Sequence, residues 1–226
     1  MKRWAGAGLA LLLAAGTAPA QAPAFSPQAP PAADLLFETP QLANVPPGSV
    51  LTYRYHRAGG TPDGLFGPPV EDTIRLTIEP GQAPGERTVI VQMFTGALHR
   101  AAGPFDNTSS NPALLLFLEH HLGALASVVG GNPRYLKNAI RAALRDKATV
   151  TPALIQVGGK AEPGWAVEVQ PFLDDPKKDL MRGLHALRLR FQTAEAVPGH
   201  IVSITAEADA PEGKLLDESL TYESLH

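Results

Sequence analysis

Hydrophobic and polar side chains alternate along several stretches of this chain, which is the pattern of strands that bury one face. Three such stretches follow Ser49, and their apolar positions are Leu51, Tyr53 and Tyr55, then Ile74, Leu76 and Ile78, then Val89, Val91 and Met93. Further strands are predicted over 149–157, 165–170, 187–191, 202–206 and 215–223. The alternation therefore predicts a protein built mainly on a β-sheet.

The period becomes helical between these two groups of strands. Asn111-Pro112 and Asn132-Pro133 each place a capping side chain before a proline, which is favoured at the first position of a helix. We predict one helix from Pro112 to about Val129, where Gly130-Gly131 supplies the left-handed residue that ends many helices. A second helix is predicted from Pro133 to about Lys147, so the pair forms a helical hairpin.

These elements together define a fold class. Short strands joined by tight turns pair in an antiparallel manner, and the hairpin interrupts them once. The pattern predicts the α+β class, with a predominantly antiparallel, curved β-sheet and an inserted helical hairpin. A partly closed barrel is the alternative packing. One more short helix is expected from Asp175-Pro176 to about Arg182, because aspartate before proline is a frequent helix start.

The first residues have the pattern of an export signal. Two positive charges precede a short apolar run, and Ala18-Pro19-Ala20 places small residues where a signal peptidase reads them. We expect a signal peptide over 1–20, a Pro/Ala-rich disordered leader over 21–34 and a single α+β domain over 35–226. The apolar run is shorter than the about 20 residues of a membrane span. The mature protein is therefore expected in the periplasm, without a transmembrane segment.

Composition narrows the function classes. The chain has no cysteine, which excludes disulfides and thiolate metal sites, and its formal net charge is −3. A mildly acidic domain lacks the basic footprint of a general nucleic-acid-binding protein. The sequence contains no Gly-x-Ser-x-Gly elbow, no phosphate-binding glycine loop and no His-Glu-x-x-His motif. We therefore expect no nucleic-acid partner, no metal and no cofactor, and we lean against an enzyme.

Short segments in and after the predicted hairpin share a recognisable pattern. They read Asn111-Pro112-Ala113-Leu114, Phe117-Leu118-Glu119, Gly130-Gly131-Asn132-Pro133-Arg134-Tyr135, Asn138-Ala139-Ile140-Arg141, Pro171-Phe172, Asp174-Asp175-Pro176 and Ala196-Val197-Pro198-Gly199. In these segments the chain resembles a family of small exported proteobacterial proteins of unassigned function. The resemblance implies a periplasmic setting and carries no activity, substrate or catalytic residue.

The second predicted helix carries a row of positive charges that we call the basic ridge. The basic ridge comprises Arg134, Lys137, Arg141 and Arg145. Their spacing of i, i+3, i+7 and i+11 places them in one quadrant, where they could dock lipid head groups or an acidic partner. The same spacing is typical of the solvated face of an amphipathic helix. Gly131 and Asn132 precede amide donors that could hold an anion, although a helix end and a cap explain them as well.

Two histidines on the first predicted helix invite separate interpretations. His121 projects among Phe117 and Leu125 into the presumed core, whereas His120 projects toward water. A buried histidine bonded to the backbone is the simple interpretation of His121, and a catalytic or pH-sensing histidine is the alternative. Neighbours on a helix point about 100° apart, so the two histidines cannot easily share a metal.

Acidic and aromatic side chains give weaker indications. Asp217 and Glu218 are predicted to point to opposite faces of the last strand. Tyr53 and Tyr55 share a strand face with Leu51, which is either ordinary core or the wall of a ligand cavity.

Export, an apolar sheet, a basic ridge and the lack of a reaction motif favour a non-enzymatic periplasmic binding or envelope-support module. Its expected partner is a lipid, a small apolar ligand or an envelope protein. Two alternatives stay open. A periplasmic hydrolase would use buried His121 with a carboxylate, and an interaction module would be tethered by its Pro-rich leader.

Overall fold

The computed structural model describes residues 28–59, 64–211 and 213–226. The predicted signal peptide and part of the predicted leader lie outside the described residues. At the end of that leader Ala32 is buried, and the chain continues into one π-helical turn, Asp34–Glu38, that buries Leu36. We call residues 32–38 the N-terminal turn, and its buried residues belong to the same core as those of the sheet.

Within the described residues, nine antiparallel strands form one sheet in the order β4-β3-β2-β1-β9-β8-β7-β6-β5. The strands are β1 Val50–Gly59, β2 Val70–Pro80, β3 Arg87–Met93, β4 Arg100–Thr108, β5 Thr149–Val157, β6 Lys160–Val169, β7 Arg188–Thr193, β8 Ile201–Ala210 and β9 Gly213–Leu225. The first and last strands are neighbours at the centre. Strands β1 to β4 therefore follow one another from the centre of the sheet to one edge, and strands β5 to β9 from the other edge back to the centre.

The predicted helical hairpin connects the two edge strands and is confirmed. It consists of α1, Pro112–Val129, and α2, Pro133–Asp146. The Asn111 side chain accepts from the backbone N–H of Ala113 at 3.0 Å, and that of Asn132 accepts from Arg134 at 2.9 Å. Gly130 ends α1 with a φ of 64°. The local capping signals thus place both helices to within about one residue.

The α+β class is confirmed, and the core lies between one face of the sheet and the hairpin. The strands contribute alternate buried residues such as Leu51, Tyr53, Leu76, Leu216 and Leu220, and the helices contribute Leu114, Phe117, Leu125, Leu136 and Leu144. β4 and β5 remain the two edges of the sheet. The partly closed barrel is therefore not confirmed.

Two further elements depart from the prediction. The helix expected from Asp175 to Arg182 is replaced by turns that include the 3-10 turn Lys178–Leu180. The Asp175 side chain accepts from the backbone N–H of Lys177 at 2.7 Å and from the Tyr135 hydroxyl at 2.8 Å, so it caps a single turn rather than a helix. The edge strand β4 is not predicted, because it contains Gly103-Pro104 and none of its side chains is fully buried.

Candidate functional site

The basic ridge borders a groove between α1, α2 and the N-terminal turn. The groove has a volume of about 340 Å³, toward the lower end of the about 300–1,000 Å³ that small-molecule sites occupy. Its apolar lining comprises Ala33, Phe37, Leu115, Leu118, Leu122, Ile140 and Leu144. Lys137, Arg141 and Arg145 lie along it, and we therefore call it the basic groove. Arg134, the remaining ridge residue, does not line it.

The apolar side chains of the basic groove are incompletely covered. Leu115 of α1 is 47 % exposed, and Phe37 of the N-terminal turn is 37 % exposed. Leu118 is only partly buried against the core. Because removing apolar surface from water stabilises by about 25 cal/mol per Å², a ligand that covers these side chains gains binding energy here.

Positive charge predominates along the basic groove. Lys137 forms an ion pair with Glu119, a carboxylate of α1 that also lines the groove. Arg145 pairs with its neighbour Asp146, with 2.8 Å between Nε and Oδ1. Arg141 is exposed and makes no ion pair with any residue that the structure describes. Arg141 is therefore the cation most available to an anionic ligand.

The first amides of α2 already have partners. The backbone oxygen of Asn132 accepts from Tyr135 at 3.0 Å and from Leu136 at 3.3 Å, and its side chain holds the N–H of Arg134. The N–H of Gly131 donates to Ala126 at 3.2 Å. A helix end and a cap therefore account for Gly131 and Asn132 without an anion.

A polar network is buried between α1 and the centre of the sheet. His121 Nδ1 lies 2.6 Å from Glu218 Oε2, and the Tyr55 hydroxyl donates to Glu218 Oε1 at 2.7 Å. Glu218 and His121 are both 0 % exposed. Asp217 and Glu218 point to opposite faces of β9, as predicted. The predicted burial of His121 is confirmed, but the predicted backbone partner is wrong, because Glu218 takes that place.

The ionisation of Glu218 follows from these contacts. Burial on its own raises the pKa of Glu218, but the hydrogen bonds from His121 and Tyr55 outweigh it, and the pKa lies below its ordinary value. Burial and the Glu218 carboxylate in turn raise the pKa of Tyr55, which stays protonated and donates. A carboxylate is thus stabilised in the core by donors on α1 and β1.

The network contains parts of a catalytic dyad without the access that catalysis needs. A carboxylate that orients a histidine is the arrangement of a general base, and His121 Nε2 has no hydrogen-bond partner among the described residues. However, His121 lines neither the basic groove nor the other cavities around it. The hydrolase hypothesis requires a cavity at Nε2, and none of these four cavities supplies one.

His120 does not project toward water, which corrects the prediction. Its half-buried ring lies edge-on to Tyr55 and Phe94, with centroid distances of 5.6 and 5.1 Å. Its Nδ1 lies 2.9 Å from a guanidinium nitrogen of Arg100. Since a guanidinium only donates, Nδ1 accepts and the neutral ring carries its proton on Nε2. Burial lowers the pKa of His120 to about 4, assisted by the charges of Arg100 and Arg57 and despite a nearby carboxylate.

His120 borders a second cavity, of about 230 Å³, which we call the histidine pocket. Its main lining residues are Tyr55, Arg57, Phe94, Leu98, His99, Arg100 and His120. Sequence reasoning missed this site, although one signal was present. Arg57 occupies an inward position of β1, two residues after Tyr55, where the alternation predicts an apolar side chain.

A larger concavity, of about 800 Å³, lies over strands β5 to β8, and most of the residues that line it are polar or charged. Its charges are paired, Lys147 with Asp174 at 3.4 Å and the others across strands. Arg190 lies 2.7 Å from Glu168 and 3.6 Å from Glu207. Such cross-strand pairs are typical of a solvated sheet face, so this concavity adds no argument for a ligand.

Two further features concern metal binding and membrane crossing. No group of three or more metal-ligating side chains that could hold an ion occurs among the described residues. Over the same residues, α1 is long and apolar enough to cross a membrane by length and composition, and 44 % of it is buried inside the fold.

Comparison with known proteins adds no relative. No family model matches the chain, and no curated protein is significantly similar to it. The resemblance to exported proteins of unassigned function stays a prediction, and what the protein does is inferred from the basic groove and the histidine pocket.

Proposed function

We propose that the protein binds a single-chain amphiphile with an anionic head group, of the fatty-acid type, in the basic groove. The observation that carries this proposal is one cavity in which exposed apolar side chains meet three cations of α2. An acyl chain would cover Phe37 and Leu115, and its carboxylate would lie near Arg141. Export to the periplasm, which the N-terminal pattern predicts, would place the protein beside membrane lipid.

The size of the basic groove favours one acyl chain over a folded partner. A stable protein interface buries about 800 Å² on each side, whereas this groove holds only two large apolar residues that are substantially exposed. Its walls come from facing helices, with Leu118 and Leu122 on α1 and Ile140 on α2. An apolar groove of this volume fits a chain of methylene groups.

Arg141 is the expected head-group contact. Lys137 and Arg145 already have carboxylate partners, whereas Arg141 has none among the described side chains. Because the contact is exposed and screened by salt, we expect it to contribute about 1 kcal/mol, which is about a fivefold change in affinity.

The test is displacement of a fluorescent fatty acid by dodecanoate from the mature protein. Arg141→Gln should weaken dodecanoate binding about fivefold, and Leu115→Asp should weaken it about tenfold or more, because its carboxylate faces the chain. The matched controls are Arg134→Gln, a ridge residue outside the groove, and Leu154→Asp, a β5 leucine that is 54 % exposed. Both controls should bind as the wild type does.

The other candidate occupants give different results. Dodecanol should bind the wild type and Arg141→Gln equally, since it lacks the charge. If the protein floats with anionic vesicles but does not bind dodecanoate, its partner is a membrane surface, and the proposal is contradicted. Absence of dodecanoate binding, or equal weakening in the groove and control variants, would also contradict it.

A further inference from the structure

The histidine pocket gathers two permanent positive charges around a small cavity. Arg57 lies on the inner side of β1, and Arg100 begins β4. The guanidinium carbon of Arg100 lies 5.6 Å from the centroid of the Phe94 ring, in a cation–π contact. His99 and His120 complete the polar lining, and no carboxylate is among the described residues that line the pocket. The permanently charged side chains of the lining are therefore all positive.

Neither charge is balanced by an ion pair. In the part of the chain that the structure describes, no carboxylate oxygen lies within 4.0 Å of a nitrogen of Arg57 or Arg100. Glu218 is directly opposite Arg57 in the β1–β9 register, but its two oxygens are held by His121 and Tyr55. The carboxylate closest in register is thus already committed to the buried network.

One atom of the pocket lacks the partner that buried polar groups require. Arg57 Nε is buried and has no hydrogen-bond partner among the described residues. The large majority of buried side-chain polar atoms are hydrogen-bonded, and a bound water or ion is one explanation for an exception. A guanidinium N–H can only donate, so the missing group is an acceptor.

We propose that the histidine pocket binds a small organic anion, with its carboxylate or phosphate group between Arg57 and Arg100 and its apolar part against Phe94 and Leu98. Guanidinium groups match both oxyanions through paired hydrogen bonds. The neutral ring of His120, held by Arg100 through Nδ1, adds an N–H donor to the lining. This site is separate from the basic groove, which lies on the α2 side of α1.

The lining also limits the size and kind of ligand. A volume of about 230 Å³ is below the about 300–1,000 Å³ of sites for drug-sized molecules, so a compact acid fits and a long acyl chain does not. Two arginines repel cations, which disfavours a metal ion or an amine. Phe94, Leu98 and Val70 make part of the wall apolar, which favours an organic acid over inorganic phosphate.

The test is a titration of isotope-labelled protein with benzoate, phenyl phosphate or inorganic phosphate at constant ionic strength, followed by the ring resonances of His120. We expect saturable shifts with a dissociation constant of about 1 mM or below for one of the two aromatic acids, and weaker binding of inorganic phosphate. Arg57→Gln and Arg100→Gln should each weaken binding about tenfold or more. Arg54→Gln is the matched control, because Arg54 lies on the outer face of the same strand, 3.7 Å from Glu223.

Each outcome decides the proposal. Preference for benzoate or for phenyl phosphate supports it and identifies the anion class. Shifts that do not saturate, full binding by Arg100→Gln, or equal weakening in Arg54→Gln overturn it. Arg100 is exposed, so its variant decides the question if Arg57→Gln does not fold. Arg141→Gln should leave benzoate binding unchanged, which separates this pocket from the basic groove.

Discussion

Replacing His121 with phenylalanine tests whether the core depends on a paired carboxylate. The variant keeps a ring beside Phe117, with which His121 stacks at 6.2 Å between centroids, but it removes the Nδ1 partner of Glu218. Because Glu218 is 0 % exposed, water does not replace that partner. We therefore expect the full cost of breaking a buried pair, a loss of about 3–5 kcal/mol in the free energy of unfolding.

Removing the charge as well should restore most of this loss. In the His121→Phe background, Glu218→Leu leaves only the Tyr55 hydroxyl without an acceptor, at a cost of about 1–3 kcal/mol. Adding Tyr55→Phe removes that cost too, so the triple variant should lie within about 2 kcal/mol of the wild type. A triple variant that is more stable than the single variant is the specific signature of an unpaired buried charge.

Urea unfolding followed by circular dichroism measures these free energies, and the pH dependence adds a second test. In the wild type the lowered pKa of Glu218 stabilises the folded protein at every pH above the ordinary pKa of a glutamate. This stability is lost as the pH falls through the pKa that Glu218 has in the folded protein. In the His121→Phe variant, burial raises the pKa of Glu218. The loss of unfolding free energy relative to the wild type should therefore become smaller as the pH falls from about 7 to about 5. A loss below about 1 kcal/mol, or a deeper loss after Glu218→Leu, refutes the reasoning.

Other side chains predict smaller, separable effects. Because the pKa of His120 falls from 6.5 to about 4 on folding, the unfolded chain takes up a proton first as the pH falls through this window. The unfolding free energy should decrease there by about 1–3 kcal/mol, allowing for partial exposure, and a His120→Gln variant with the same pH profile would contradict this. Asn111→Ala should lower the free energy of unfolding, measured by thermal unfolding, by about 3 kcal/mol, because Asn111 is buried, caps α1 and donates to a buried tyrosine at 2.7 Å. Asn132 is an exposed cap, so Asn132→Ala should lower it by about 1 kcal/mol. Equal losses in the two variants would contradict the buried role of Asn111. Glu119→Gln should tighten dodecanoate binding about threefold, because it frees Lys137, and unchanged affinity would place the head group elsewhere.

The helices and most strands could be predicted because their signals are local. Asparagine before proline marks the starts of α1 and α2. A two-residue period marks five of the described strands, and flanking turns or the end of the chain indicate three more. β4 lacks that period, since an edge strand buries little and tolerates Gly103-Pro104. The turn at Asp175 was predicted as a helix because the same side chain can cap a single turn or a helix.

The polar network could not be predicted, because its contacts are long-range. His121 and Glu218 are 97 residues apart, and Tyr55 and Glu218 are 163 apart. The contact depends on the register that places β9 beside β1, which no local pattern specifies. A partial signal existed, because Glu218 lies between Leu216 and Leu220 at a position where the alternation predicts burial. A charged residue at an inward-facing position indicates that it has a buried partner, but the sequence does not show which residue that partner is.

The two helices of the hairpin differ in a way that the core alone does not explain. α2 buries one stripe that includes Leu136 and Ile140 and turns its cations outward, as expected of a helix on a sheet. α1 also carries apolar side chains beyond those that the core covers, and Leu115 stays exposed. Isolated exposed leucines need no explanation. Leu115 and Phe37, however, belong to separate elements and line one cavity beside Arg141, so the amphiphilic anion proposed above would account for both exposures and for Arg141, which has no ion-pair partner among the described residues.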